Sequence, residues 1–210
     1  MNSRIYHKNM PLVIEENFLP ATLTSGPMTD DEFAEFVAAH SDYFIEMTAD
    51  GEILIMPPTY SLTGARGAKI LRQLEDWTER QRSGIATDGT SGFVLPSGAR
   101  RSPDAAWTAK TRLQGMDDAF IQKYWHLCPD FVIELRSRTD RLRVLRAKMR
   151  EWIANGAQLA WLIDPERRAV EVYRPDREPE MIENPVSVAA EGPVEGFVLD
   201  LPPVWDPLSF

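Results

Sequence analysis

The sequence holds one cysteine, Cys128, and three histidines, His7, His40 and His126, in 210 residues. A lone thiol closes no intrachain disulfide, which excludes a disulfide-stapled scaffold. The histidines stand far apart and the cysteine has no companion, so a Cys/His zinc cluster is excluded as well. No apolar run approaches the roughly 20 residues that a membrane-spanning helix needs. Residues 1–16 carry Arg4, His7 and Lys8 but no continuous apolar segment, so no signal peptide is expected and the expected location is cytoplasmic. Internal repeats and long low-complexity tracts are absent. Positive charge is scarce too: 23 Lys+Arg stand against 32 Asp+Glu, a net charge of −9. General polyanion binders show the opposite balance. A net charge nevertheless averages over faces that never meet the ligand.

What is present is an ordinary globular composition, 43% hydrophobic and 26% charged, in a chain long enough for one sizeable core. Residues 1–28 hold Pro11, Pro20, Gly26 and Pro27 without periodicity and read as an irregular arm. A single domain is expected over 29–205, with a short tail at 206–210. Thr29 and Glu32 form a capping box ahead of Phe33, Phe36 and Val37, predicting a helix to about His40. Tyr43–Met47 and Glu52–Met56 read as strands joined at Asp50-Gly51, a turn signal. Ile70, Leu71, Leu74 and Trp77 mark a second helix that ends by Gly84. Short strands are expected at 85–88, 91–96 and 103–109, and a helical turn near Phe120. Phe131–Leu135 reads as a buried strand, and the clearest helix spans Asp140–Asn155, closed by Gly156. Leu159–Ile163 pairs with Ala169–Tyr173, and one last strand is expected at Phe197–Leu201. This interleaving predicts an α/β or α+β fold with a mixed sheet.

Three local patterns bear chemistry. Pro103-Asp104 opens a short strand. Glu134 sits inside an apolar strand, where a carboxylate is costly unless paired, hydrogen-bonded or bound to a cation. Lys148 lies on the strong helix. At about 100° per residue, Leu142, Leu145, Met149, Trp152 and Ile153 form one apolar arc, and Lys148 falls about 40° outside its Trp152 edge. Its stem can follow the core while its ammonium reaches the sheet rim. Two carboxylates at adjacent strand ends repel each other unless a hard divalent cation bridges them, and such a cation keeps waters for phosphate to displace. A nearby lysine completes the electrostatics of phosphoryl transfer.

Pro103-Asp104, Glu134-Leu135-Arg136 and their spacing resemble the PD-(D/E)XK nuclease signature. The chain is similar in particular to the restriction-endonuclease-like family of small bacterial proteins of the Uma-two type. Phe44-Ile45-Glu46 through Asp50-Gly51-Glu52, Ser102-Pro103-Asp104, Pro129–Glu134 with Ser137, Lys148-Met149 and Trp161–Pro165 follow in that family's order, over about residues 29 to 205. The resemblance implies a restriction-endonuclease-like core, a mixed central sheet flanked by helices. It further implies Asp104 and Glu134 as ligands of Mg²⁺ or Mn²⁺, Lys148 as the catalytic lysine and Glu46 as an additional acid of the site. DNA is the implied substrate, and a homodimer is suggested by the same analogy. Two departures stand out: Arg136 occupies the position usual for lysine, and Thr59–Arg66 lacks the Pro-rich loop and histidine of many relatives.

Each residue also has a plainer reading. Pro103-Asp104 alone is commonly a turn, Glu134 can be salt-bridged to Arg136 or Arg141, and a lone helix lysine is commonly solvated. Trp152 and Trp161 read as core, and Cys128 as an ordinary half-buried residue. Residues 136–150 hold seven basic residues against Asp140 alone, whereas 29–52 holds eight acids without a single Lys or Arg. The charge is therefore segregated, and Arg136, Arg138 and Arg141 are candidates for nucleic-acid phosphate. The expected function is a metal-dependent endonuclease. The alternatives are a nuclease-like module that binds without cutting, or a metal-dependent hydrolase of small phosphorylated compounds.

Overall fold

The Thr29 hydroxyl accepts a hydrogen bond from the Glu32 amide at 3.3 Å, and the Glu32 carboxylate accepts from the Thr29 amide at 3.0 Å. This reciprocal box starts the first helix where the sequence places it. The computed structural model describes residues 4–5 and 19–209. In chain order its elements begin β1 (Arg4–Ile5), β2 (Ala21–Thr24), α1 (Asp30–Ala39), β3 (Phe44–Met47) and β4 (Glu52–Met56). They continue with α2 (Ser61–Gln81), β5 (Gly84–Asp88), β6 (Phe93–Val94), β7 (Arg100–Arg101), β8 (Ala105–Ala109), α3 (Lys110–Leu113) and α4 (Asp118–Ile121). The remainder is β9 (Phe131–Leu135), α5 (Leu142–Ala154), β10 (Leu159–Asp164), β11 (Ala169–Tyr173), β12 (Glu180–Glu183), β13 (Ser187–Ala189), β14 (Val198–Asp200) and α6 (Pro202–Trp205). The result is a mixed α+β fold. No helix among the described residues is long and apolar enough to cross a membrane.

Where the sequence suggests one domain over 29–205, the contacts divide the chain into two units. The first comprises Met1–Pro58 and Val94–Arg101, the second Thr59–Phe93 and Ser102–Phe210. The first unit is built on a sheet of order β1-β2-β4-β3-β7-β6, the chain leaving the other unit inside β6. The hairpin β3–β4 turns through Gly51, whose φ is +80°. A Cβ there would lie 2.1 Å from the Gly26 carbonyl carbon, so glycine is required by both backbone angle and space. Residues 1–28 are not wholly irregular: Ala21–Thr24 forms β2, which pairs antiparallel with β4 and parallel with β1. Alternation there covers only four residues, too few for a periodicity reading. Residues 1–3 and 6–18 of the expected arm, with His7, lie outside the described residues.

The second unit carries a six-stranded sheet of order β12-β11-β10-β9-β8-β5. β9 and β10 run parallel, joined through α5, and the other neighbours are antiparallel. Side chains alternate across a strand, and here the alternation sorts two chemistries. One face presents Trp107, Phe131, Ile133, Trp161 and Val170 to Ile70, Leu74 and Trp77 of α2 and to Phe197 and Leu199. Its aromatic centre sets Phe131 edge-on to Trp161 at 4.9 Å, with Phe197 stacked on Trp161 at 5.8 Å. The other face presents Val132, Glu134, Leu162, Asp164 and Glu171, all buried, and is the face α5 bonds to.

α5 differs from expectation in two ways. It begins at Leu142 rather than Asp140, because the Asp140 carboxylate accepts the Ser137 amide at 2.7 Å and is held in the loop. Its buried stripe is narrower, Met149 and Trp152 alone, with Leu142, Leu145 and Ile153 half-buried. The flanks of that stripe are occupied by Arg146 and Lys148, which reach sheet carboxylates on either side. Strands β7, β12 and β13 escaped the sequence reading. β7 has two residues, and β12 and β13 expose most of theirs, so none has an apolar pattern to read. Cys128 is buried rather than half-buried at 1% exposure, and burial pushes its thiol up to about 12.

Candidate active site

Strand β8 begins one residue after Asp104, and its register with β9 pairs Ala105 with Ile133. Asp104 stands in the bend just ahead of that register, beside the end of β9 that carries Glu134 and Leu135. The Asp104 carboxylate accepts the Leu135 amide through Oδ2 at 2.6 Å, a short charge-assisted bond that ties it to the residue after Glu134. Pro103 and Asp104 are thus no isolated turn: the acid is fastened to the neighbouring strand.

Glu134 is 3% exposed, so its carboxylate requires partners. Two come from α5: Lys148 Nζ lies 2.9 Å from Oε1, and Trp152 Nε1 donates to the same oxygen at 2.8 Å. Lys148 also donates to the Ser102 carbonyl at 3.1 Å, two residues before Asp104. Its stem is largely covered while part of the side chain, 15%, remains open to solvent, the snorkelling placement that the helix arithmetic predicts. Asp104, Glu134 and Lys148 are therefore gathered within the second unit.

Arg136 goes elsewhere. Its guanidinium bonds Asp164 at 2.8 Å and reaches Glu166 at 3.4 Å. Asp164 also accepts the Glu166 and Arg167 amides, closing the turn between β10 and β11. The carboxylate that holds Arg136 is thus itself fixed by backbone. Arg138 and Arg141 are exposed, the latter capping α5 without a side-chain hydrogen bond. Glu46 belongs to the first unit, where the buried Arg101 guanidinium meets its carboxylate at 3.0 Å.

A second ionic group lies under α5. Arg146 grips the Glu171 carboxylate through Nε and Nη2, and the Tyr173 hydroxyl donates to it at 2.7 Å. Burial pushes the Glu171 carboxyl up, but the bonds from Arg146 and Tyr173 outweigh it and hold the group below the usual range. Burial and the Glu171 bond push the Tyr173 hydroxyl upward. The sequence reading missed this network, Ser102 as an acceptor and Trp152 as a donor. The spacing of Trp152 four residues after Lys148, one turn along the same side of α5, was the available signal.

The donor set can be weighed against a metal. Among the described residues, no group of three or more His, Cys, Asp or Glu gathers as for a metal ion. Two acids without histidine or thiolate do not suit a structural zinc. They do suit Mg²⁺, which is commonly held by one or two carboxylates and completes its shell with water and substrate oxygens.

The sequence pattern of the Uma2 family, described as "Putative restriction endonuclease", matches residues 30–202. Among solved structures, a protein of Anabaena variabilis ATCC 29413 described as "a putative nuclease belonging to DUF820" superposes with a TM-score of 0.71. The two are 20% identical, and the match covers 86% of this chain and 98% of that one. At such identity the likeness carries the fold alone. No curated protein matches the chain.

Proposed function

Because the chain belongs to the Uma2 family, we propose that it is a metal-dependent endonuclease hydrolysing phosphodiester bonds in DNA. The observation that carries the reading is Lys148 Nζ at 2.9 Å from Glu134, beside an Asp104 fastened to the next residue of the same strand. Asp104 and Glu134 would hold Mg²⁺ or Mn²⁺. When bound, the cation would lower the pKa of a water and stabilise charge on the phosphoryl group.

The chain's own residues do the rest. The Lys148 ammonium, held between Glu134 and the Ser102 carbonyl, orients the attacking water and offsets negative charge gathering at phosphorus. The water oxygen bonds to phosphorus and gives up a proton to solvent, the bond to the departing oxygen breaks with its electron pair, and that oxygen takes a proton from solvent. Arg136 is engaged with Asp164 and Glu166, so the lysine of the helix serves in its place. Arg138 and Arg141, exposed on the loop into α5, meet backbone phosphate.

The test is incubation of supercoiled plasmid with Mg²⁺, Mn²⁺ or EDTA, beside Asp104→Ala and Lys148→Ala. Cutting that needs the metal and is lost in both variants is the expected result. Metal-dependent cutting that survives both substitutions would sink the site assignment. DNA bound but never cut by the native chain would favour the non-cutting module.

A further inference from the structure

Trp152 is fully buried. A buried indole usually spends its N–H on an acceptor, yet two other tryptophans of this unit do not. The indole nitrogens of Trp77 and Trp107 are buried with no hydrogen-bond partner among the described residues. Those rings serve packing alone. Trp152 differs because its N–H lands on Glu134 Oε1 at 2.8 Å, the oxygen that Lys148 approaches at 2.9 Å. The two donors are four residues apart on α5, so a single helix turn delivers both to one atom.

Their division of labour follows from side-chain mechanics. Lys148 is a point charge on a flexible four-carbon stem and tolerates rotation of its partner. The indole is rigid, has two side-chain torsions and is locked by complete burial, so its N–H direction is set by the packing of α5. A carboxylate bonded to that N–H loses the freedom to turn about its terminal torsion, which is otherwise broad. We propose that Trp152 is a positioning residue, its indole N–H orienting the Glu134 carboxylate so that this carboxylate and Asp104 bind one divalent cation. The inference rests on the metal-dependent reading above and assigns Trp152 no contact with substrate. Partners of this kind, one step removed from the metal, typically change metal affinity by about 10–100-fold when lost.

The experiment measures Mn²⁺ binding directly, by electron paramagnetic resonance of free Mn²⁺, on the full chain and on Trp152→Phe. Benzothienylalanine placed at position 152 provides a second probe, keeping the bicyclic shape without the N–H should phenylalanine disturb folding. Both are expected to weaken Mn²⁺ binding by about 10–100-fold. Plasmid cutting should recover at high Mn²⁺ with an unchanged KM for DNA. In the metal-free chain, the indole proton resonance that disappears in Trp152→Phe should shift in Glu134→Gln.

Wild-type Mn²⁺ affinity in both Trp152 replacements overturns the inference and leaves the nuclease reading intact, provided Glu134→Gln loses the metal. Reduced cutting that no Mn²⁺ concentration restores marks a packing role and overturns it as well. Full Mn²⁺ affinity in Glu134→Gln, or none in the native chain, overturns the metal-site reading itself.

Discussion

Replacing Lys148 and Arg136 separately by methionine, which keeps stem volume and removes charge, asks which cation serves the proposed chemistry. Arg136→Met strips a guanidinium from Asp164 and Glu166. Breaking a buried ion pair costs about 3–5 kcal/mol when the remaining charge is left bare. Asp164 would not be bare, since it keeps the Glu166 and Arg167 amides at 3.1 and 3.3 Å, so the expected cost is about 2–3 kcal/mol. In a chain of this length that lowers Tm by about 4–12 °C, while cutting per folded molecule stays within about threefold of native. Lys148→Met leaves buried Glu134 its Trp152 bond, so the stability cost is comparable, about 2–3 kcal/mol. Loss of a preorganised charge beside the reacting centre, however, lowers kcat by about 10²–10³. The assay pairs thermal melting with plasmid nicking at saturating Mn²⁺ and 25 °C. Arg136→Met melting like the native chain while losing a hundredfold in rate, or Lys148→Met cutting at the native rate, would refute the reasoning.

Three further outcomes are expected. Arg146→Met removes the bidentate partner of buried Glu171 and should cost about 2–3 kcal/mol, less than a fully buried pair because a third of the Arg146 side chain meets solvent. The Glu171 carboxyl is held below its ordinary value, so its contribution is present above the unfolded-chain pKa and lost as pH falls through the folded one. Acid unfolding of Arg146→Met followed by circular dichroism should therefore occur at higher pH than in the native chain, and a coincident transition would count against the network. Cys128, with its thiol pushed up to about 12 by burial, should resist alkylation at pH 8 in the native chain and react fully in denaturant, as read by mass spectrometry. Thr29→Ala should cost about 1 kcal/mol in a denaturant titration by removing one half of the capping box, whereas Thr29→Ser should be near native.

Much of the fold follows from local rules that act within one element. The Thr29–Glu32 box and the Asp50-Gly51 turn are satisfied by neighbours a few residues away and formed where their residues indicate, and α5 formed from the same periodicity with a later start and a narrower buried stripe. β2, β7, β12 and β13 obey no local rule. They are short, β2, β12 and β13 are in part exposed, and all exist because another strand supplies their hydrogen bonds. The helix boundary at Leu142 shows the same competition on a smaller scale, where a loop amide claimed Asp140 before the helix could.

The site divides along the same line. Residue type and order by themselves marked Glu134, because an acid in an apolar strand is costly without a partner, and Lys148, whose stem can follow the core; Asp104 joined them through the resemblance to the nuclease signature. Only tertiary structure decided the pairing. The β8–β9 pairing brought Asp104 to the Leu135 amide, next to Glu134, and the seating of α5 gave Lys148 rather than Arg136 to the Glu134 carboxylate. It also divided the seven basic residues of 136–150, committing Arg136, Arg146 and Lys148 to buried acids and leaving Arg138 and Arg141 exposed. Charge counted along a chain is blind to this, because a carboxylate that neutralises a guanidinium can come from a strand many residues away. Trp152 makes the point most sharply: its burial was legible in the apolar arc, while the acceptor of its N–H lies on β9, across the interface between helix and sheet.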